Sequence, residues 1–121
     1  MAALSKKLRS AEGNRLHFWC PGCNEIHGVQ HGAGAPPRWG WNGDADKPTF
    51  TPSVLVRSNR WDPPVTADNL GEWERSPWPQ SQVVRICHSF VVDGRIQFLG
   101  DCTHALAGQT VDLPDWTEVG E

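Results

Sequence analysis

The 121-residue chain has no tyrosine and only one methionine, and it has no apolar run approaching the ~20 residues a membrane span needs, so an integral membrane protein is excluded. No apolar stretch follows the early cations Lys6, Lys7 and Arg9, so no secretory leader is expected, and a cytoplasmic, reducing setting is the expectation. A basic surplus is also missing. Against 11 Lys and Arg stand 14 Asp and Glu, a net charge of -3, which argues against a dedicated nucleic-acid binder. The sequence carries no His-Glu-x-x-His, P-loop or Gly-x-Ser-x-Gly signature, and no internal repeat or heptad.

Ten prolines and twelve glycines leave little room for long helices, because proline removes a backbone donor and glycine costs about 1 kcal/mol in a helix interior. The expected fold is mainly β: one small antiparallel domain with long Pro/Gly-rich loops. At 38% hydrophobic content and a mean hydropathy of -0.49, its apolar core must be small, and a staple is needed.

The four cysteines supply it. Cys20-Pro21-Gly22-Cys23 is a knuckle whose Pro-Gly pair favours a tight turn that aims both sulfurs at one point. Without an export signal, two disulfides are the weaker reading. A redox Cys-x-x-Cys normally opens a helix, for which Asn24-Glu25-Ile26-His27-Gly28 is a poor start. Zinc takes four such ligands tetrahedrally. Asp93-Gly94 marks a type I′ hairpin, and counting outward from Val92 opposite Arg95 places Cys87 opposite Gly100. Cys87 and Cys102 then share one face, while His88 and Asp101 are diagonal neighbours on the other. The expected site is a structural zinc on Cys20, Cys23, Cys87 and Cys102, with His104 or His27 as the alternative ligand.

Arg15 to Cys20 alternates Leu16, Phe18 and Cys20 against His17 and Trp19, a strand entering the knuckle. Residues 1–14 and 115–121 are expected to be a flexible basic tail and an acidic tail around a domain at 15–114. Pro48 to Val56 reads as extended, Thr103 to Gly108 as a single helical turn, and Thr110 to Leu113 as a last strand. Residues 57–82 hold four prolines with Trp61, Trp73 and Trp78, and read as a long connection. Most of the seven tryptophans are packing material; Trp41, Trp61, Trp73 and Trp78 are the candidates for lining a partner groove.

Four thiolates would close the zinc shell, so chemistry must use other groups. Ser53, stiffened by Pro52 and starting an apolar strand, is a candidate nucleophile. His88 is a candidate base and Asp101 its orienter, the hierarchy an activated serine requires. The competing reading makes each of them a structural residue. An oxyanion would need backbone N–H donors, which no sequence feature identifies; the Asn42-Gly43 turn is one candidate.

The segments His17-Phe18-Trp19-Cys20-Pro21-Gly22-Cys23, Trp41-Asn42-Gly43-Asp44, Lys47-Pro48-Thr49-Phe50-Thr51-Pro52-Ser53, Cys87-His88-Ser89-Phe90 and Asp101-Cys102-Thr103-His104-Ala105-Leu106-Ala107-Gly108-Gln109 resemble one family. Its members are small phage, prophage and bacterial proteins of unknown function, often labelled "ammonia monooxygenase". A Cys-rich site does not suit copper or iron oxygen activation. Some relatives resemble deubiquitinase-like serine peptidases of bacterial ubiquitin-like conjugation operons. The resemblance implies Ser53 as nucleophile and His88 as base; Asp101 comes from the hairpin parity. It further implies cleavage after the C-terminal tail of a ubiquitin-like protein inside a bacterial cell. The alternative is a non-enzymatic phage or prophage zinc protein that binds a host protein.

Overall fold

Alternation buries Leu16, Phe18 and Cys20 on one side of the strand Arg15–Cys20, as the sequence pattern requires. The computed structural model, which describes residues 2–118, places this strand (β3) in a four-stranded antiparallel sheet. Its companions are β1 (Ala2–Ala3), β2 (Arg9–Ala11) and β4 (Glu25–Gln30), in the order β1-β2-β3-β4. A second antiparallel sheet has the order β5 (Gly40–Trp41), β6 (Phe50–Asp62), β7 (Ser81–Val92), β8 (Arg95–Phe98) and β9 (Thr110–Asp112). The inner faces of the two sheets meet in one core. Leu8, Leu16, Phe18 and Val29 come from the first sheet side and Phe50, Val54, Val91, Ile96 and Phe98 from the second. Phe18 stacks on Phe50 with ring centres 6.0 Å apart. The chain is a small, mainly antiparallel β domain, and its one described α-helix is α1 (Leu70–Arg75).

The β7–β8 hairpin has the predicted register, Val92 opposite Arg95 and Phe90 opposite Gln97. Asp93 and Gly94 both take positive φ, 49° and 74°, as a type I′ turn demands. The strand does not run on to Cys102, however. β8 stops at Phe98, and the Cys102 N–H donates to the Leu99 carbonyl, closing a turn over Leu99–Cys102. Gly100 therefore does not face Cys87. Residues 103–108 form turns rather than helix, and β9 is the predicted last strand.

Three other boundaries need correction. Residues 2–14 are not a loose tail: β1 and β2 join the sheet, and Leu8 is completely buried. A lone leucine among cations gave no periodic signal, yet it plugs the end of the core. The long connection is shorter than 57–82, because β6 and β7 pair from Val54–Ser89 out to Asp62–Ser81. Only residues 63–80 remain as connection, with α1 inside it. At the other terminus Trp116 is buried, and its Nε1 donates to the Lys7 carbonyl at 3.0 Å. The rest of the expected acidic tail, 119–121, lies outside the described residues.

Candidate active site and metal centre

Pairing past Val54 decides which side chains of β6 meet β7. Phe50 faces Val91 and Val54 faces Ser89, so Thr51, Pro52 and Ser53 bulge opposite Phe90 alone. A bulge re-aims side chains beside it. Beyond it Leu55 faces His88, making Ser53 the diagonal neighbour of His88 on the outer face of the sheet. Ser53 Oγ stands 2.9 Å from His88 Nε2, and Asp101 Oδ2 stands 3.2 Å from His88 Nδ1. The His88 side chain is 26% exposed and that of Asp101 53%.

Asp101 reaches His88 through the Leu99–Cys102 turn rather than as a strand neighbour. The same loop clamps the backbone of His88. Leu99 N–H donates to its carbonyl, while Cys102 Sγ accepts from its N–H and donates to its carbonyl, both at 3.2 Å. The residue that sequence reasoning missed is Trp39, whose Nε1 donates to the Ser53 carbonyl at 3.2 Å. No motif flags it, because the contact depends on β5 lying beside the bulge. The other polar neighbours have different work. Thr49 Oγ1 accepts from the Asp93 N–H, and Ser89 faces the core. Asn42 holds its own turn together: its Oδ1 accepts from Asp44 and Thr49 N–H and its Nδ2 donates to the Lys47 carbonyl.

Directly behind this site, on the core side of β7, the cysteines gather. Ligand atoms of Cys20, Cys23, His27 and Cys87 all lie within 4.8 Å of one another, and those of Cys87, Cys102 and His104 form an adjoining group. The four-atom set therefore contains His27 where the sequence reading put Cys102. The β3–β4 register explains it. Phe18 faces His27 and Cys20 faces Glu25, so His27 is diagonal to Cys20 on the inner face. Cys102 is instead engaged with the backbone of His88.

The donor set fits a metal ion. Tetrahedral zinc at ~2.3 Å per sulfur sets two sulfurs about 3.8 Å apart; Cys20 and Cys87 Sγ are 3.7 Å apart. His27 is 4% exposed, and neither ring nitrogen has a hydrogen-bond partner; Glu25 Oε1 lies 3.5 Å from Nε2 without forming such a bond. A buried imidazole in that condition is costly unless something accepts one nitrogen. His104 Nε2 is likewise buried and unpartnered, with Nδ1 accepting from the Leu106 N–H. The ring sits against Gly22, where a Cβ would come within 2.2 Å of it.

Without an ion the clustered thiols shift one another in opposite directions. The Cys87 thiol donating to Cys20 brings the Cys20 thiol down to about 4, helped by His27 against the opposing effect of burial. Burial, then the Cys20 charge, pushes Cys23 up to about 11. Cys87 is driven upward by its bond to Cys20 and by burial. A dication reverses this competition by favouring every thiolate at once.

The four tryptophans do not line one groove. Trp41 faces Phe50 near Ser53, with its ring against His31 and its Nε1 on the Asp44 carbonyl. Trp61 is 57% exposed at the far end of β6, eight residues or roughly 26 Å from Ser53 at strand spacing. Trp73 and Trp78 serve the connection itself, the Trp73 Nε1 donating to the Trp78 carbonyl.

No described helix is long and apolar enough to cross a membrane. No curated protein and no solved structure matches the chain. A family model described as "Bacterial ubiquitination-like system serine protease (BubE)" matches residues 3–99, a span that includes Ser53, His88, Cys20, Cys23, His27 and Cys87. With most of its length covered by that match, the chain belongs to the BubE family of bacterial ubiquitination-like system serine proteases.

Proposed function

We propose that this chain is a serine peptidase or isopeptidase that cleaves after the C-terminal tail of a bacterial ubiquitin-like protein, in precursor processing or deconjugation. The observation that carries the reading is the hydrogen-bonded line Ser53–His88–Asp101 on an open sheet face. With the Nδ1 proton held by Asp101, His88 Nε2 is free to accept the Ser53 proton. Ser53 Oγ attacks the scissile carbonyl, and the resulting Nε2 proton passes to the leaving amine as the C–N bond breaks. Water, deprotonated by the same nitrogen, then hydrolyses the acyl ester.

Zinc on Cys20, Cys23, Cys87 and His27 would act as a cross-link between the β3–β4 hairpin and β7, its four protein ligands leaving no open position for substrate. Cys87 points to the core and His88 to solvent, so the ion would brace the strand that presents the base. A protein partner inside the bacterial cell is part of this reading, with its extended tail as the cleaved segment.

The test uses a fluorophosphonate probe and a ubiquitin-like protein carrying a C-terminal fusion. Wild-type protein is expected to be labelled at Ser53 and to release the fusion. Ser53→Ala is expected to lose both while keeping its metal content and melting temperature. Equal cleavage by Ser53→Ala removes that residue from the mechanism. Absence of labelling in a folded, metal-loaded wild-type protein favours a module that binds a protein partner without cleaving it.

A further inference from the structure

The edge of β6 begins a second argument at Ser53. β5 pairs with β6 only at Gly40–Thr51 and Trp41–Phe50. It then departs, because the Trp39 N–H donates to the Gln30 carbonyl of β4 and Trp39 bridges to His31. Among the described residues no strand pairs with this edge of β6 beyond Thr51, although β6 runs to Asp62.

Which backbone groups face the open side follows from β7. Ile86 exchanges bonds with Thr103, and His88 with Leu99 and Cys102, so even-numbered residues here direct their N–H and C=O away from β6. Odd-numbered residues of β7 therefore bond to β6, and their partners Val54, Val56 and Ser58 point inward to the ladder. Leu55, Arg57, Asn59 and Trp61 point the other way. No bond from the N–H or C=O of Leu55, Arg57 or Asn59 to another segment is present among the described residues. Leu55 is 52% exposed, and Arg57 and Asn59 are exposed as well. Ser53, in the same alternation, has its carbonyl taken by Trp39, which marks where the free edge starts.

An edge of this length, with no proline past Pro52, is normally blocked or paired. Two copies joined edge to edge about Ser58, with Arg57 opposite Asn59 so that the outward-directed groups meet, would set the Arg57 side chains of both copies diagonally on one face, with no acidic residue between Phe50 and Asp62 to offset them. Like charges across a ladder are destabilising. A foreign strand avoids that conflict.

We propose that the free edge of β6 from Leu55 to Trp61 receives the substrate's extended tail as an added antiparallel strand, the residues before the scissile bond pairing with Leu55 and Arg57. This rests on the peptidase reading above. An antiparallel strand runs from the Trp61 end toward Ser53, so its scissile carbonyl arrives at Ser53 and its leaving group continues past the end of the ladder. Affinity then comes from main-chain bonds, and the leaving amine emerges at the end of the ladder, where Trp39 and β5 take over the edge of β6.

The test is amide hydrogen exchange by NMR on full-length Ser53→Ala. The probe is a synthetic ten-residue peptide with the C-terminal tail sequence of a ubiquitin-like protein from a bacterial ubiquitination-like system. Protection of the Leu55 and Arg57 amides is expected to rise at least tenfold, with those of Val56 and Ser58, already bonded to β7, little changed. N-methylation of the peptide at alternate residues should weaken binding at least tenfold, and at the intervening residues less than twofold. Fluorophosphonate labelling of wild type separates the two readings. Labelled Ser53 with unprotected Leu55 and Arg57 overturns the edge and keeps the peptidase. Protected amides without labelling keep the edge as a peptide-binding surface and overturn the peptidase. Protection of these amides that rises with protein concentration in the absence of peptide means a second copy occupies the edge, which also overturns the proposal.

Discussion

Replacing Asp101 by asparagine tests the proposed triad where its electrostatics are most distinctive. In a buried triad the equivalent change costs about 10⁴ in turnover, because the carboxylate fixes the imidazole tautomer and stabilises the imidazolium. Here the carboxylate is 53% exposed at 3.2 Å from His88 Nδ1. At that separation the attraction to a protonated ring is about 1.3 kcal/mol in a water-like dielectric and about 5 kcal/mol at an effective dielectric of 20. Half-exposure weights the first figure, giving about 1.5–2.5 kcal/mol, or about 10- to 70-fold in rate. The assay is kcat/KM for release of the tail fusion, with metal content and melting temperature measured on the same preparation. Asp101→Asn is expected to lose about 10- to 70-fold, still react with the fluorophosphonate, and melt with wild type. Unchanged turnover would remove Asp101 from the site. A loss of about 10⁴ would mean that substrate buries the carboxylate, and the solvent-screened magnitude would be wrong.

Gly22→Ala places a Cβ within 2.2 Å of the His104 ring, which is held by the Leu106 N–H and packed edge-on to Phe98 at 4.5 Å. The knuckle or the ring must move, and a stability loss of about 1–3 kcal/mol is expected in the melt, with reduced metal content; a variant that melts and binds metal as wild type refutes the contact. Trp39→Phe keeps a ring but removes the 3.2 Å bond to the Ser53 carbonyl. One such bond is worth about 0.5–1.5 kcal/mol, so kcat/KM should fall by roughly 2- to 10-fold with metal content unchanged, as fusion cleavage would report. Metal uptake by metal-free protein at neutral pH should release about two protons per ion. Cys23 and Cys87, both shifted upward, enter protonated, whereas Cys20 at about 4 is already a thiolate. Titration in weak buffer with a pH indicator measures this, and release of none would exclude these thiols as ligands. The same signs make uptake weaken as pH falls, since protons compete for the sulfurs.

Local chemistry was legible where a few adjacent residues settle it. Asp93-Gly94 dictates its turn, alternation marks β3, and hairpin parity put Cys87 on one face of β7 and His88 on the other. Proline and glycine content excluded a helical fold without further information. Ser53, His88 and Asp101 were recognisable as types able to act together, but their meeting depends on longer-range events. The bulge at Thr51–Ser53 sets the register of β6 against β7, and the turn at Leu99–Cys102 folds Asp101 back. Neither is encoded by alternation. The fourth member of the cysteine cluster, the buried Leu8 and the bond from Trp39 to Ser53 belong to the same class. The sequence determines which face of a strand a side chain takes, because that follows from neighbouring backbone geometry. Only the tertiary structure decides which faces meet and which edge stays open, because those outcomes depend on register and packing between segments distant along the chain.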